Sequence, residues 1–293
     1  MRIVTGIFSG IFSFVLAAAL VALGIVITLN LTILNPDFAI SELDKLDGYS
    51  IISDKVREQI PAEEPHMVPI VDETITELEP WLRDQTNIAL YDIYAYLKGD
   101  QELNIVIPLE QVRTCVKENV EQAILESLPP EFEGASHSQI QALLSQAYAE
   151  VDKQIPQQIE LNEASLDPEV TAQLQQARQI VGYIELGYKL LIGLAILLIL
   201  LIALIQWWHI KPIALYVGIP MAIAGAVTLV GSLVAGSLIY GVIHGVPPDI
   251  MSILPQLLTD CSRPLQIYGT ALLVAGIGLI VLSVRLKPSG YAS

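Results

Sequence analysis

Leu190–Ile205 reads LLIGLAILLILLIALI, thirteen Leu or Ile in sixteen residues with no charged side chain, and it decides the fold. At about −0.3 to −0.6 kcal/mol per Leu or Ile at the centre of a span, the run gains roughly 4 to 8 kcal/mol on entering a bilayer. The charge-free stretch extends to Trp208, and three others share its character: Ile3–Leu34, Ile213–Ile243 and Leu265–Val284. Each supplies the roughly 20 residues of helix that cross a hydrocarbon core of about 30 Å. With 53% hydrophobic residues and a mean hydropathy of +0.56, apolar residues come in blocks, not in the periodic scatter of a water-soluble domain. The expectation is an all-α membrane protein with four transmembrane helices, at 1–34 and at about 190–208, 213–243 and 265–284. A helical domain is inserted between the first two.

The remaining charges sort by side. Arg2, Lys211, Arg285 and Lys287 lie in the three segments of one face with no acid among them, and all 31 acids lie on the other. By the positive-inside rule both termini are cytoplasmic in a cell membrane, while 35–189 and 245–264 are extracytoplasmic. The first apolar run is too long for the 7–15-residue core of a signal peptide and is read as a retained helix.

Residues 35–182 form the acidic extracytoplasmic domain, and 183–293 the three-helix membrane region. Residues 35–189 hold 29 of the acids but 10 of the 15 basic residues. A field of that sign repels nucleic acid and anionic headgroups, so the bilayer itself and an extracytoplasmic protein are the expected partners. Helical spacing predicts helices over 41–60, with a break at Gly48, and from Val71 past Pro80 to Gly99. More follow over 109–128 and 138–155, with a Pro- and Glu-rich linker at 61–69. Leu103–Ile107 has strand character but no evident partner and is read as extended linker. Asp167 as N-cap and Pro168 at the first position start a helix that nothing interrupts before the second span. The outer segment 246–264 reads as a Pro-rich linker with a short helix near 250–258.

Chemistry-bearing patterns are few, and no catalytic, cofactor or metal residue is assigned. His66, His137, His209 and His244 share no ligand spacing. No nucleophile elbow occurs. The spans carry no Asp, Glu, Lys or Arg, which argues against charge-coupled transport. Tyr91, Tyr94 and Tyr96 read as a cluster packing against Trp81. Trp207, Trp208, Tyr188 and Tyr268 are expected as interfacial anchors. Small residues at four-residue spacing, Gly6 and Gly10, Ser237, Gly241 and Gly245, Ala271 and Ala275, are expected to pack helices and would also suit a homo-oligomer. Cys115 and Cys261 fall on one side of the membrane, which admits a disulfide; a buried thiol at Cys115 is the other reading.

One span, a large outer domain and then three spans, with both termini inside, resembles the layout of the permease subunits of cell-division and macrolide-export ABC transporters. The resemblance is of topology: the segment between the second and third spans is only His209–Pro212, with little to offer an ATPase. The leading expectation is a non-enzymatic, membrane-anchored interaction module, a scaffold, assembly factor or sensor. The alternative is a transporter or channel subunit of permease type.

Overall fold

The computed structural model describes residues 2–51, 53, 67–126, 137–242 and 248–285. Residues 61–66 of the linker expected at 61–69, with His66, and the segment 243–247, with His244 and Gly245, lie outside them, while residues 67–69 are helical. The elements are α1 (Arg2–Leu31), α2 (Pro36–Lys45), α3 (Met67–Lys98), β1 (Asn104–Pro108), α4 (Glu110–Glu126), α5 (His137–Gln154), β2 (Gln158–Asn162), α6 (Pro168–Ile205), α7 (Ile210–Val242) and α8 (Pro248–Arg285). Contacts divide the chain into two compact units, Met1–Phe38 with Ile180–Ser293, and Ala39–Gln179.

The first unit is an all-α assembly containing four helices long and apolar enough to cross a membrane. The chain is an integral multi-pass membrane protein by that measure. Only 17% to 39% of the residues in the apolar stretches are buried inside the protein, so most of their surface is left to lipid. The core joins Leu16 and Leu20 of α1, Ala195, Leu198 and Ile202 of α6, and Val217 and Ala224 of α7, with Leu272 and Leu279 of α8 against them. The most extensive contact is between α7 and α8.

Glycines bring α7 and α8 together. A Cβ added at Gly225 would lie 2.5 Å from the Leu273 nitrogen, and one at Gly276 would lie 2.4 Å from the Ala222 nitrogen. Gly218 and Gly225 on one helix, and Gly269 and Gly276 on the other, recur every seven residues. That spacing keeps one seam facing the partner along both helices. Lipid is as apolar as Leu, so close backbone packing replaces the hydrophobic effect as the attraction between spans.

The segment expected as a Pro-rich outer linker is helix. α8 runs from Pro248 through Pro255 and Pro264 to Arg285 without interruption. Proline removes one backbone hydrogen bond, but helices of membrane proteins tolerate this where neighbouring groups restore hydrogen bonding. Hydroxyls of the same stretch add side-chain hydrogen bonds along the helix, Thr259 Oγ1 donating to the Pro255 carbonyl at 2.8 Å and Ser262 Oγ to the Thr259 carbonyl at 2.9 Å.

In the second unit, α3 is one helix of 32 residues with Pro80 inside it. It stops at Gly99, whose φ is +82°, and the Gly99 and Asp100 amides donate to the Tyr96 and Ala95 carbonyls at 2.9 Å each. This is a Schellman cap, and the left-handed position selects glycine. The expected break near Gly48 falls one residue earlier, at Asp47 with φ 51°, since a short polar side chain also tolerates that conformation.

The reading of 103–107 as linker is corrected. β1 pairs antiparallel with β2 in a two-stranded sheet, Asn104 opposite Asn162 and Pro108 opposite Gln158. The ribbon survives because it packs on α3: Tyr96, Leu103 and Ile105 form a core with Ile93, Leu97, Leu161 and Leu174 around it. A two-stranded sheet needs such a support. α6 begins as expected, Pro168 at its first position and the Asp167 carbonyl accepting from the Thr171 amide at 2.9 Å, and runs unbroken for 38 residues.

Candidate functional site

Three polar clusters hold the second unit together. In the first, Tyr96 is fully buried, its hydroxyl donating to Glu163 Oε1 at 2.7 Å. The Arg178 guanidinium stacks over its ring at 4.9 Å. Burial and the Glu163 carboxylate push the Tyr96 pKa up, so this phenol stays a neutral donor. Tyr96 therefore behaves as core, as expected of the tyrosine group, but its partners are the ribbon and Arg178. Tyr91 is 48% exposed.

In the second cluster, between α3 and α4, Cys115 Sγ donates to Glu77 Oε2 at 3.1 Å. The buried Asn119 gives its amide to Thr74 Oγ1 at 2.8 Å and Glu77 Oε2 at 3.2 Å. Burial first, and then the Glu77 carboxylate, pushes the Cys115 thiol up to about 12. A thiol so protonated is a poor nucleophile at neutral pH. In the third, Arg113 and Lys117 of α4 both pair with Asp152 of α5, Lys117 at 2.6 Å. The Lys117 hydrogen bond leads the causes that hold the Asp152 carboxyl below its ordinary value. Tyr148 donates to Glu121 beside them. All three clusters are internal pairings that fix helix against helix or ribbon against helix, although the buried Arg113 Nε has no hydrogen-bond partner among the described residues. Among the described residues no group of three His, Cys, Asp or Glu is placed to hold a metal ion.

The two cysteines belong to different units. Neither is disulfide-bonded in this structure; Cys115 is buried and Cys261 half-buried.

In the first unit, Trp207 and Trp208 form the turn between α6 and α7 and are 80% and 68% exposed. Both are left-handed, φ 48° and 58°. Their amides donate to the Leu204 and Ala203 carbonyls at 3.0 Å each. It is the same cap as at Gly99, here with tryptophan where glycine is usual, a substitution that costs about 1–2 kcal/mol per residue. Two indoles are thereby held outward together. Tyr188 is half-buried. Tyr268 is half-buried against α1: its hydroxyl donates to the Leu20 carbonyl at 2.9 Å, and its ring occupies the space that a side chain at Gly24 would need.

The residues expected to pack helices at four-residue spacing are placed differently. Gly6 meets only the Tyr216 hydroxyl, at 3.7 Å, and nothing lies within 4 Å of a Cβ built at Gly10. Ala271 and Ala275 are exposed, and the side chains at 237 and 241 are not among those described. The close approach belongs to Gly218, Gly225, Gly269 and Gly276, which stand at seven-residue spacing.

Two serines of α1 reach neighbouring helices. Ser13 Oγ donates to the Tyr216 carbonyl at 2.6 Å, and Gln206 Nε2 donates to the fully buried Ser9 Oγ at 2.8 Å. Ser283 of α8 likewise donates to the Lys211 carbonyl at 3.0 Å. Beside Ser13, a cleft of about 290 Å³ lies between α1 and α7, lined by Gly10, Ser13, Phe14, Tyr216, Ile219, Pro220 and Ile223. Set against known protein families, curated proteins and solved structures, the chain matches none of them.

Proposed function

We propose that this protein is a membrane-anchored interaction module whose binding surface lies on Ala39–Gln179, acting as a scaffold, assembly factor or sensor without catalysis of its own. The observation that carries the reading is that this unit is compact in its own right, with a core and three internal polar clusters. Its chemistry serves internal cohesion: the thiol is protonated, the Tyr96 phenol neutral, and Arg113 and Lys117 share Asp152. What it offers outward is acidic surface, since the segment 35–189 that contains it carries 29 acids. The segregation of charge supports a placement of this unit outside the cell membrane with both termini in the cytoplasm. A protein partner presenting basic residues fits that field.

A second reading, a permease-like transmitter, draws on one observation. α6 is a single helix from Pro168 to Ile205, and a continuous helix carries displacement along its axis from one end to the other.

The two readings separate by crosslinking in intact cells. A photoreactive amino acid at the exposed Gln146 of the full-length chain should capture an extracytoplasmic protein, and the same complex should survive mild detergent. Stoichiometric recovery of a nucleotide-binding subunit, with no adduct at Gln146, would transfer the assignment to the permease reading.

A further inference from the structure

The geometry points to the cleft between α1 and α7 as a seat for one acyl chain of a bilayer phospholipid. Two features of sequence open it. Gly10 offers no side chain, and the space where a Cβ would stand is empty. Opposite, Pro220 interrupts the hydrogen bonding of α7. Together they leave about 290 Å³, room that close-packed spans do not otherwise concede.

The wall chemistry selects the occupant. Phe14, Ile219, Pro220 and Ile223 are hydrocarbon. The Ser13 hydroxyl spends its proton on the Tyr216 carbonyl at 2.6 Å, the carbonyl that Pro220, four residues on, cannot reach with an N–H. No lining side chain carries a charge, and the Tyr216 phenol is the one other hydroxyl on the wall. A hydrocarbon occupant suits such a wall best, because an unpaired polar group brought in would cost several kcal/mol.

Position names the source. Phe14 is 77% exposed, Ile223 52% and Ile219 41%, and all three lie on spans whose free apolar surface meets lipid. The cleft is thus a recess in the lipid-facing surface. Tyr216 to Ile223 lie about 9 to 20 Å along α7 from its first residue, Ile210. A leaflet has about 15 Å of hydrocarbon, half of the core. The recess therefore receives the distal half of a chain from the leaflet on the side of Trp207 and Trp208. An empty recess would forfeit dispersion contacts on every wall atom, and a neighbouring lipid tail is the group at hand to supply them.

The test uses the full-length protein in phosphatidylethanolamine and phosphatidylglycerol vesicles containing a phosphatidylethanolamine with a diazirine in the distal half of one chain. Photolysis should place adducts preferentially on the peptides carrying Gly10–Phe14 and Ile219–Ile223. Gly10→Leu, which fills the recess, should lower that yield about tenfold, equivalent to 1.4 kcal/mol of binding, and leave adducts at Val274 and Ile277 of α8 unchanged. Ile223→Trp narrows the mouth from α7 and should act the same way, which keeps the test decisive if Gly10→Leu disturbs folding. Adducts spread evenly over all exposed spans, or insensitive to both variants, would overturn the proposal. So would disulfide-linked dimers from Phe14→Cys, because a second copy would then occupy the recess.

Discussion

Ser13 of α1 caps the carbonyl of Tyr216 in α7, at 2.6 Å. It is the carbonyl orphaned by Pro220, which is fully buried and has no N–H to give. The proline and the hydroxyl are one device: proline creates an unsatisfied acceptor in an apolar span, and serine from the neighbouring helix satisfies it. Ser13→Ala should cost about 0.6 to 1.7 kcal/mol, the range of interhelical hydrogen bonds in membranes. In a Pro220→Ala background the helix regains its own donor, so the same serine change should cost much less. Unfolding of the four proteins in mixed micelles measures the coupling. Additive effects would mean that the two residues do not share the carbonyl.

The glycine seam makes a sharper contrast on a single helix. At Gly276 a methyl group would meet backbone of α7 at 2.4 Å, while at Gly278 it would meet nothing within 4 Å. Gly276→Ala should destabilise by about 1–3 kcal/mol through overpacking. Gly278→Ala should be neutral or stabilise by up to about 1 kcal/mol, the ordinary gain of alanine in a helix. Equal effects at both positions would remove the seam from the account.

Cys115 should alkylate slowly for two separable reasons, access and protonation. Its thiol is pushed up to about 12 from an ordinary value of 9.0, so the folded state holds the proton more tightly than the unfolded one. The associated stability is complete below pH 9 and is lost as pH rises from 9 toward 12. Glu77→Gln removes the second cause of the shift while leaving burial, so iodoacetamide should react faster at pH 9 in that variant. The experiment needs a Cys261→Ser background. A rate equal to that of an exposed thiol in the parent, or a slower one in Glu77→Gln, would contradict the placement of the thiol beside the carboxylate.

The four apolar helices were legible because insertion free energy is local and additive, and Leu190–Ile205 states it in sixteen residues. The Gly99 stop and the Asp167–Pro168 start were legible for the same reason: caps are decided within one turn. The ribbon was not, because Leu103–Ile107 finds its partner some fifty residues later, at Gln158–Asn162, and the pair is supported by the core around Tyr96 on α3. The helix through Pro255 and Pro264 was read as linker because proline is weighed as a breaker in water. The packing face was sought at four-residue spacing, whereas the seam of α7 and α8 recurs every seven. The bond from Ser13 to Tyr216 spans two hundred residues of sequence, and only the partnership of the two helices brings it about.

The central claim, an interaction unit outside the membrane with the chain termini inside, is tested most directly by thiol accessibility. In a Cys261→Ser background, a cysteine at the exposed Ser145 of α5 and another at the exposed Arg285 of α8 report the two sides separately. The account predicts that a membrane-impermeant maleimide labels Ser145→Cys in intact cells and labels Arg285→Cys only after permeabilisation. Labelling of Arg285→Cys in intact cells with Ser145→Cys protected would invert the orientation and contradict the account.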